Sequence, residues 1–180
     1  VVTGTRSMRL QLESLFETME QHEIDPMPGW TERRVCNTAC HCIGTLDLGI
    51  SCRRTGQQGI LDLKTQKEFW TYQEAAGQQE GYDSADWVWE GPLDDTGRWV
   101  RPPGWNLMGR PGGPAEGNRV ALLAHMPKDP GPDQLPVQLH EVDLTYGADV
   151  LAVALRNVEL RSIGKSTAKG RRIGGLRPLL

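Results

Sequence analysis

The feature that most restricts the fold is a change of apolar period in the first third of the chain. Residues 7–21, SMRLQLESLFETMEQ, repeat apolar side chains at Met8, Leu12, Leu15, Phe16 and Met19, the spacing of one helix face, with Ser7 as N-cap. His22–Thr31, with Pro26, Pro28 and Gly29, reads as a loop. The period then shortens. Arg34–Ala39, Cys42–Cys52 and Gly59–Thr65 are short β-leaning runs, the last two separated by the polar stretch Arg53–Gln58. Links this short do not accommodate a crossover, so the three runs are expected to form an antiparallel meander. Gln66–Gly81, with Ala75 and Ala76 among long polar residues, is expected to be a helix. Arg119–Met126 and Val137–Leu144 read as two strands joined by a Pro-rich hairpin loop, and Thr145–Leu160 as the closing helix. This order predicts an α/β or α+β protein with a mixed central sheet flanked by helices.

A chain of 180 residues has room for one domain, expected over 1–160. Its 38% apolar and 24% charged residues, with six Trp, exclude a disordered chain and a membrane protein. Apolar runs such as Val150–Leu155 are far shorter than the roughly 20 residues that span a bilayer. The start has no basic segment leading into an apolar one, so no secretory signal is expected; it opens on Val rather than Met, as after processing or truncation. Residues 87–118 are too long and too rich in Gly and Pro for a plain turn, and form an excursion with a short strand at Trp87–Trp89. From Arg156 to Leu180 there are seven Lys or Arg against Glu159 alone, a segment of +6 in a chain of −3. Its end, 161–180, is expected to be a basic tail. Lys165, Lys169, Arg171 and Arg172 are its candidate phosphate contacts, a frayed solvated terminus being the alternative. Cys36, Cys40, Cys42 and Cys52 are read as reduced thiols of a cytoplasmic protein, with Cys40 and Cys42 on one strand face. Without two C-x2-C knuckles, a zinc module built on them is the weaker reading.

Two adjacent runs each carry a carboxylate in apolar surroundings: Gly44-Thr45-Leu46-Asp47, and Ile60-Leu61-Asp62-Leu63-Lys64-Thr65. A charge there is costly unless it is paired or ligates a metal. Strand alternation sets Ile60, Asp62 and Lys64 on one face, with Asp47 beside them if the strands are neighbours. Two carboxylates and a strand carbonyl make a hard oxygen site suited to Mg²⁺ or Mn²⁺, and an adjacent Lys suits phosphodiester hydrolysis. The plainer alternative is an edge-strand Asp47 and a surface Asp62–Lys64 pair.

G-T-L-D, then I-L-D-L-K-T, then a helix near Tyr72-Gln73-Glu74-Ala75-Ala76 together resemble the PD-(D/E)XK nuclease superfamily, most closely its small RecB-type, CRISPR-associated-like exonucleases found in phages. The resemblance runs from about Gly4 to Arg161 and implies a restriction-endonuclease-like core. It implies Asp47, Asp62 and the carbonyl of Leu63 as ligands of Mg²⁺ or Mn²⁺, Lys64 as the catalytic lysine, and Gln73 as a supporting polar residue. The implied activity is a metal-dependent DNA exonuclease of recombination, repair or phage DNA processing. It would act on single- or double-stranded ends held through phosphates, as a homo-oligomer or with a recombination partner. The sequence departs from the family in three ways. Met8 stands where a ligating His is expected, Gly77 where the helix motif has Tyr, and no Cys follows Cys52, so an iron–sulfur cluster is not expected. Met8 also motivates the alternative of an inactive nuclease-fold DNA-binding or scaffold subunit. His125 and His140 are read as packed strand residues that could pair across a hairpin, and His22 and His41 carry no assigned role. The Trp residues of the excursion are read as loop packing, with stacking on unpaired bases the alternative.

Overall fold

The computed structural model describes residues 6–65, 72–92, 96–101, 119–127 and 137–170, with backbone alone at 6, 7, 119 and 164–170. The predicted opening helix is α1 (Arg6–Gln21). It seats Leu15 and Met19 in the core, each burial worth about 1.5–3 kcal/mol, while Met8 and Phe16 of the same expected stripe are 51% and 59% exposed. Three antiparallel strands follow, β1 (Ile24–Asn37), β2 (Cys42–Cys52) and β3 (Gln58–Lys64), as the meander reading expects.

The loop expected at His22–Thr31 is instead the first half of β1. Pro26 and Pro28 are tolerated because, among the described residues, β1 pairs with a second strand only near its end, at Val35 and Cys36. Between Pro26 and Thr31 the register shifts, with Gly29 at φ +78°, a bulge that the prolines and glycine announce only as irregularity.

After α2 (Tyr72–Asp83) come β4 (Trp87–Glu90), β5 (Arg98–Val100), β6 (Arg119–His125), β7 (Gln138–Glu141) and α3 (Leu144–Gly170). Among the described residues the strands form one mixed α/β sheet in the order β5-β4-β1-β2-β3-β6-β7. β3 and β6 are parallel, with α2 in the connection between them, and the other neighbours are antiparallel. One face carries the α2 core of Val35, Leu46, Ile60, Ala75, Ala76, Val88 and Leu123. The other carries the α1 core of Leu15, Met19, Ile50, Leu61 and Ala124.

α3 is seated on α2 through small residues. A Cβ added at Gly77 would lie 3.0 Å from Val150 Cγ1, so this glycine serves close packing of the two helices. Asp143 caps α3, its Oδ1 accepting from the amides of Thr145 and Tyr146 at 2.9 and 3.1 Å. The helix runs ten residues beyond its expected end at Leu160, so 161–170 belong to a helix and not to a tail. Lys165 and Lys169 lie on it, four residues apart. The candidates Arg171 and Arg172, the start of the expected Gln66–Gly81 helix (66–71), Trp105 and the loop at 128–136 lie outside the described residues. No described helix is long and apolar enough to cross a membrane.

Candidate active site at the parting of two strands

β2 and β3 pair from Ser51↔Gln58 to Leu48↔Leu61 and then stop. β2's ladder with β1 has pairs at Thr31↔Leu48 and Arg33↔Leu46 but none at Asp47. Opposite that gap Glu32 has φ 51°. Leu46 belongs to the α2 core while Leu48 and Ile50 pack with the α1 core, so β2 turns over at Asp47. This local rotation brings the Asp47 carboxylate within reach of β3's backbone. Its Oδ2 accepts the Leu63 amide at 2.7 Å, in the place a strand carbonyl would occupy.

The peptide groups of β3 explain what lies beside it. Lys64 O accepts from Met126 N at 2.9 Å on the β6 side, so by strand alternation the amide and carbonyl of Leu63 point toward β2. The Leu63 carbonyl therefore lies on the same side as Asp47. Asp62 is 4% exposed, on the α2 face with Ile60. Its Oδ2 lies 2.6 Å from Lys64 Nζ but has no aligned hydrogen-bond donor. Burial first pushes the Asp62 carboxyl up, the Lys64 ammonium in close contact opposes that, and Asp47 pushes it further up. Two carboxylates close enough to repel, one of them buried, are an arrangement that a bound cation relieves. Two carboxylates and a carbonyl match what Mg²⁺ requires of a protein, its other positions being kept for water and phosphate. Among the described residues no group of three or more His, Cys, Asp or Glu is placed to hold a metal ion, so the candidate set has two carboxylates.

Lys64 is held from a second side. Its ammonium donates to Gln78 Oε1 at 3.3 Å, and Gln78 Nε2 donates to Tyr82 OH at 2.9 Å. Gln78 and Tyr82 lie one turn apart on α2. Gln73, the expected supporting residue, is exposed near the helix start, and the contact to Lys64 comes from Gln78 instead. The sequence carried a signal for this in Gln78-x3-Tyr82, a spacing that stacks two polar side chains on one helix face. The next residue, Gln79, is fully buried and its Nε2 donates to Leu122 O at 3.0 Å, fixing α2 over β6.

His125 is buried and is the β6 neighbour of Lys64. It stands opposite Gln138, while His140 stands opposite Leu123, so the two histidines are diagonal neighbours and not the direct cross-strand pair considered from sequence. Burial, then the charge of His125, push the His140 imidazole below its ordinary 6.5. On the α1 side, Gln11 Nε2 donates to Pro127 O at 2.6 Å, two residues past His125. The N-terminal turns of α1, which bear Met8, therefore approach the sheet end that carries Lys64.

Cys36, Cys40 and Cys42 lie close enough to interact, and Cys52 lies apart from them. Cys42 and Cys52 are at opposite ends of β2, roughly 33 Å apart at strand rise, which removes a four-cysteine zinc module. Cys40 is buried in the β1–β2 turn and not on a strand beside Cys42. The Cys42 thiol is pushed up to about 12, first by burial of the sulfur although the residue as a whole is exposed, then by its hydrogen bond with Cys40. The Cys52 thiol is lowered, first by the Thr55 hydroxyl. Compared with protein-family models and with curated proteins, the chain has no match in either.

Proposed function

We propose that this chain is a metal-dependent deoxyribonuclease of the PD-(D/E)XK kind, an exonuclease hydrolysing phosphodiesters of DNA ends in recombination, repair or phage DNA processing. The observation that carries the reading is the meeting of Asp47, Asp62 and Lys64 where β2 and β3 part. The order helix, three antiparallel strands, helix and parallel strand supports a restriction-endonuclease-like core. A divalent ion, when bound, supplies charge neutralisation at the phosphate and an acidified water. Asp47 and Asp62 would hold it together with the Leu63 carbonyl, and the Leu63 amide keeps Asp47 oriented. Lys64, held by Asp62 and Gln78, places its ammonium where negative charge grows on the phosphorus oxygens and orients the attacking water. Hydrolysis adds that water to phosphorus, breaks one P–O ester bond and delivers a proton to the departing oxygen. The C-terminal part of α3, with Lys165 and Lys169, and Arg171 and Arg172 after it, would add phosphate contacts without sequence preference.

A second reading, a DNA-binding or scaffold subunit without activity, is favoured by Met8, because a thioether is a poor ligand for Mg²⁺. Digestion of end-labelled linear DNA, single- and double-stranded, in Mg²⁺, Mn²⁺ or EDTA separates the two. The nuclease reading expects metal-dependent shortening that Asp62→Ala and Lys64→Ala each abolish. DNA retention without cleavage in any metal would sink it, and gain of cleavage in Met8→His would then support the second reading.

A further inference from the structure

The excursion that the sequence assigns to loop packing contains two strands, and their register gathers its tryptophans. Trp89 stands opposite Trp99, and Trp87 opposite Cys36. Trp87 and Trp89 alternate with Val88, which is buried in the α2 core, so the indoles lie on the opposite face of the sheet. Cys36 stands opposite Ile43, and Arg34 opposite Thr45, which extends the same face across β1 and β2. The core beneath α1 contains no residue of β4 or β5, so α1 stops short of this surface. All three indoles are half-buried, and Ile43 is 66% exposed.

The ring arrangement is that of a fixed platform. Trp89 and Trp99 meet edge to face, centroids 5.3 Å apart and planes at 75°. The Trp89 indole N–H donates to Pro92 O at 2.7 Å, so this polar atom is satisfied by the protein and the ring is oriented. The Arg101 guanidinium lies over the Trp87 ring at 4.7 Å, with a side chain that is 67% exposed. The nearby acid, Asp86, is buried, accepts from Thr38 N at 2.8 Å and from the Thr38 hydroxyl, and lies 4.0 Å from Arg101. Arg34 adds a second cation to the same face.

We propose that this face binds unpaired nucleic acid, its bases stacking on Trp87, Trp89 and Trp99 and its phosphates meeting Arg101 and Arg34. Aromatic rings on an open sheet with interspersed guanidinium groups suit splayed bases, whose faces are free, and not a duplex, whose base faces are already stacked. The platform lies three strand spacings from β3 at β4 and four at β5, roughly 14–19 Å across the sheet, and on the other face. It therefore holds a strand away from the reacting phosphate. The proposal deepens the nuclease reading by naming a single-stranded segment as the bound form, and rests on it.

The test is fluorescence anisotropy of a labelled oligothymidylate with the full chain in EDTA, alongside indole quenching, so that binding is read without cleavage. The single strand should quench the indoles and outcompete a duplex of equal length. Trp87→Leu and Trp99→Leu should each weaken binding about 10-fold, the scale of one lost base stack. Arg101→Gln, at an exposed side chain, should weaken it and reduce the salt slope by about 0.7. Unchanged affinity in all three variants, or equal competition by duplex, overturns the platform, as does conversion of a dimer to a monomer by Trp99→Leu with oligonucleotide affinity unaltered. Metal-dependent cleavage with unchanged binding in the Trp variants would overturn the platform and leave the nuclease. Anisotropy-read affinity lost in the Trp variants would establish the platform even where no metal produces cleavage.

Discussion

Asp47 and Asp62 were visible as charges inside apolar runs, because an ionised group there is expensive without a compensating partner. What they do locally was not visible. Asp47 substitutes for a backbone carbonyl toward Leu63, which requires β2 to turn over at that residue, and nothing in G-T-L-D encodes the rotation. The glutamine that meets Lys64, five residues beyond Gln73, was not visible for a similar reason. Gln73 and Gln78 are chemically identical, and only the docking of α2 decides which one meets Lys64. Gln78→Leu should slow single-turnover cleavage about 10-fold by releasing the ammonium on one side, whereas Gln73→Leu, at an exposed position, should leave it unchanged. Equal effects from the two would return the supporting role to the helix start.

At the level of elements, β2 agrees with the reading at both ends and β3 and β6 to within one residue, since their apolar runs are buried and bounded by polar turns. β1 was half missed. Its prolines and glycine signal a break in regular pairing, and they do cause one, but as a bulge within a strand whose first half pairs with β2 alone among the described residues. The bulge gives a clean prediction. At φ +78° with nothing within 4 Å of an added Cβ, Gly29→Ala costs only backbone conformation, about 1 kcal/mol, with no packing change. Urea unfolding should show a lower midpoint at unchanged slope; a stabilised protein would mean that the bulge does not hold this conformation. The closing helix was underestimated because its end is marked by no strong breaker, and a stretch of Ser, Gly and Lys reads equally well as a frayed tail.

The whole molecule places the candidate active site and the tryptophan platform on opposite faces of one sheet, and both depend on strand order rather than on any single segment. Its acid sensitivity should have a readable component. The His140 imidazole is held below its ordinary 6.5, first by burial and then by His125. Its folded-state value is therefore the lower one, so its contribution to stability is full above about 6.5 and is lost as pH falls through the folded value. The groups facing it across β6 and β7 include His125, so His140→Gln should flatten the loss of melting temperature just below pH 6.5 without removing it. An unchanged profile would show that the imidazole is equally protonated in both states. The sequence by itself determined the helix-meander-helix order and the two strand carboxylates with their lysine. Those follow from local periodicity and from the cost of burying charge, which act over a few residues. The tertiary structure alone decided that Gln78 holds Lys64, that α3 continues through 161–170, that Cys52 lies apart from the other cysteines, and that three tryptophans share one face of the sheet. Each of those depends on which strands and helices become neighbours, a choice made by packing between segments distant along the chain.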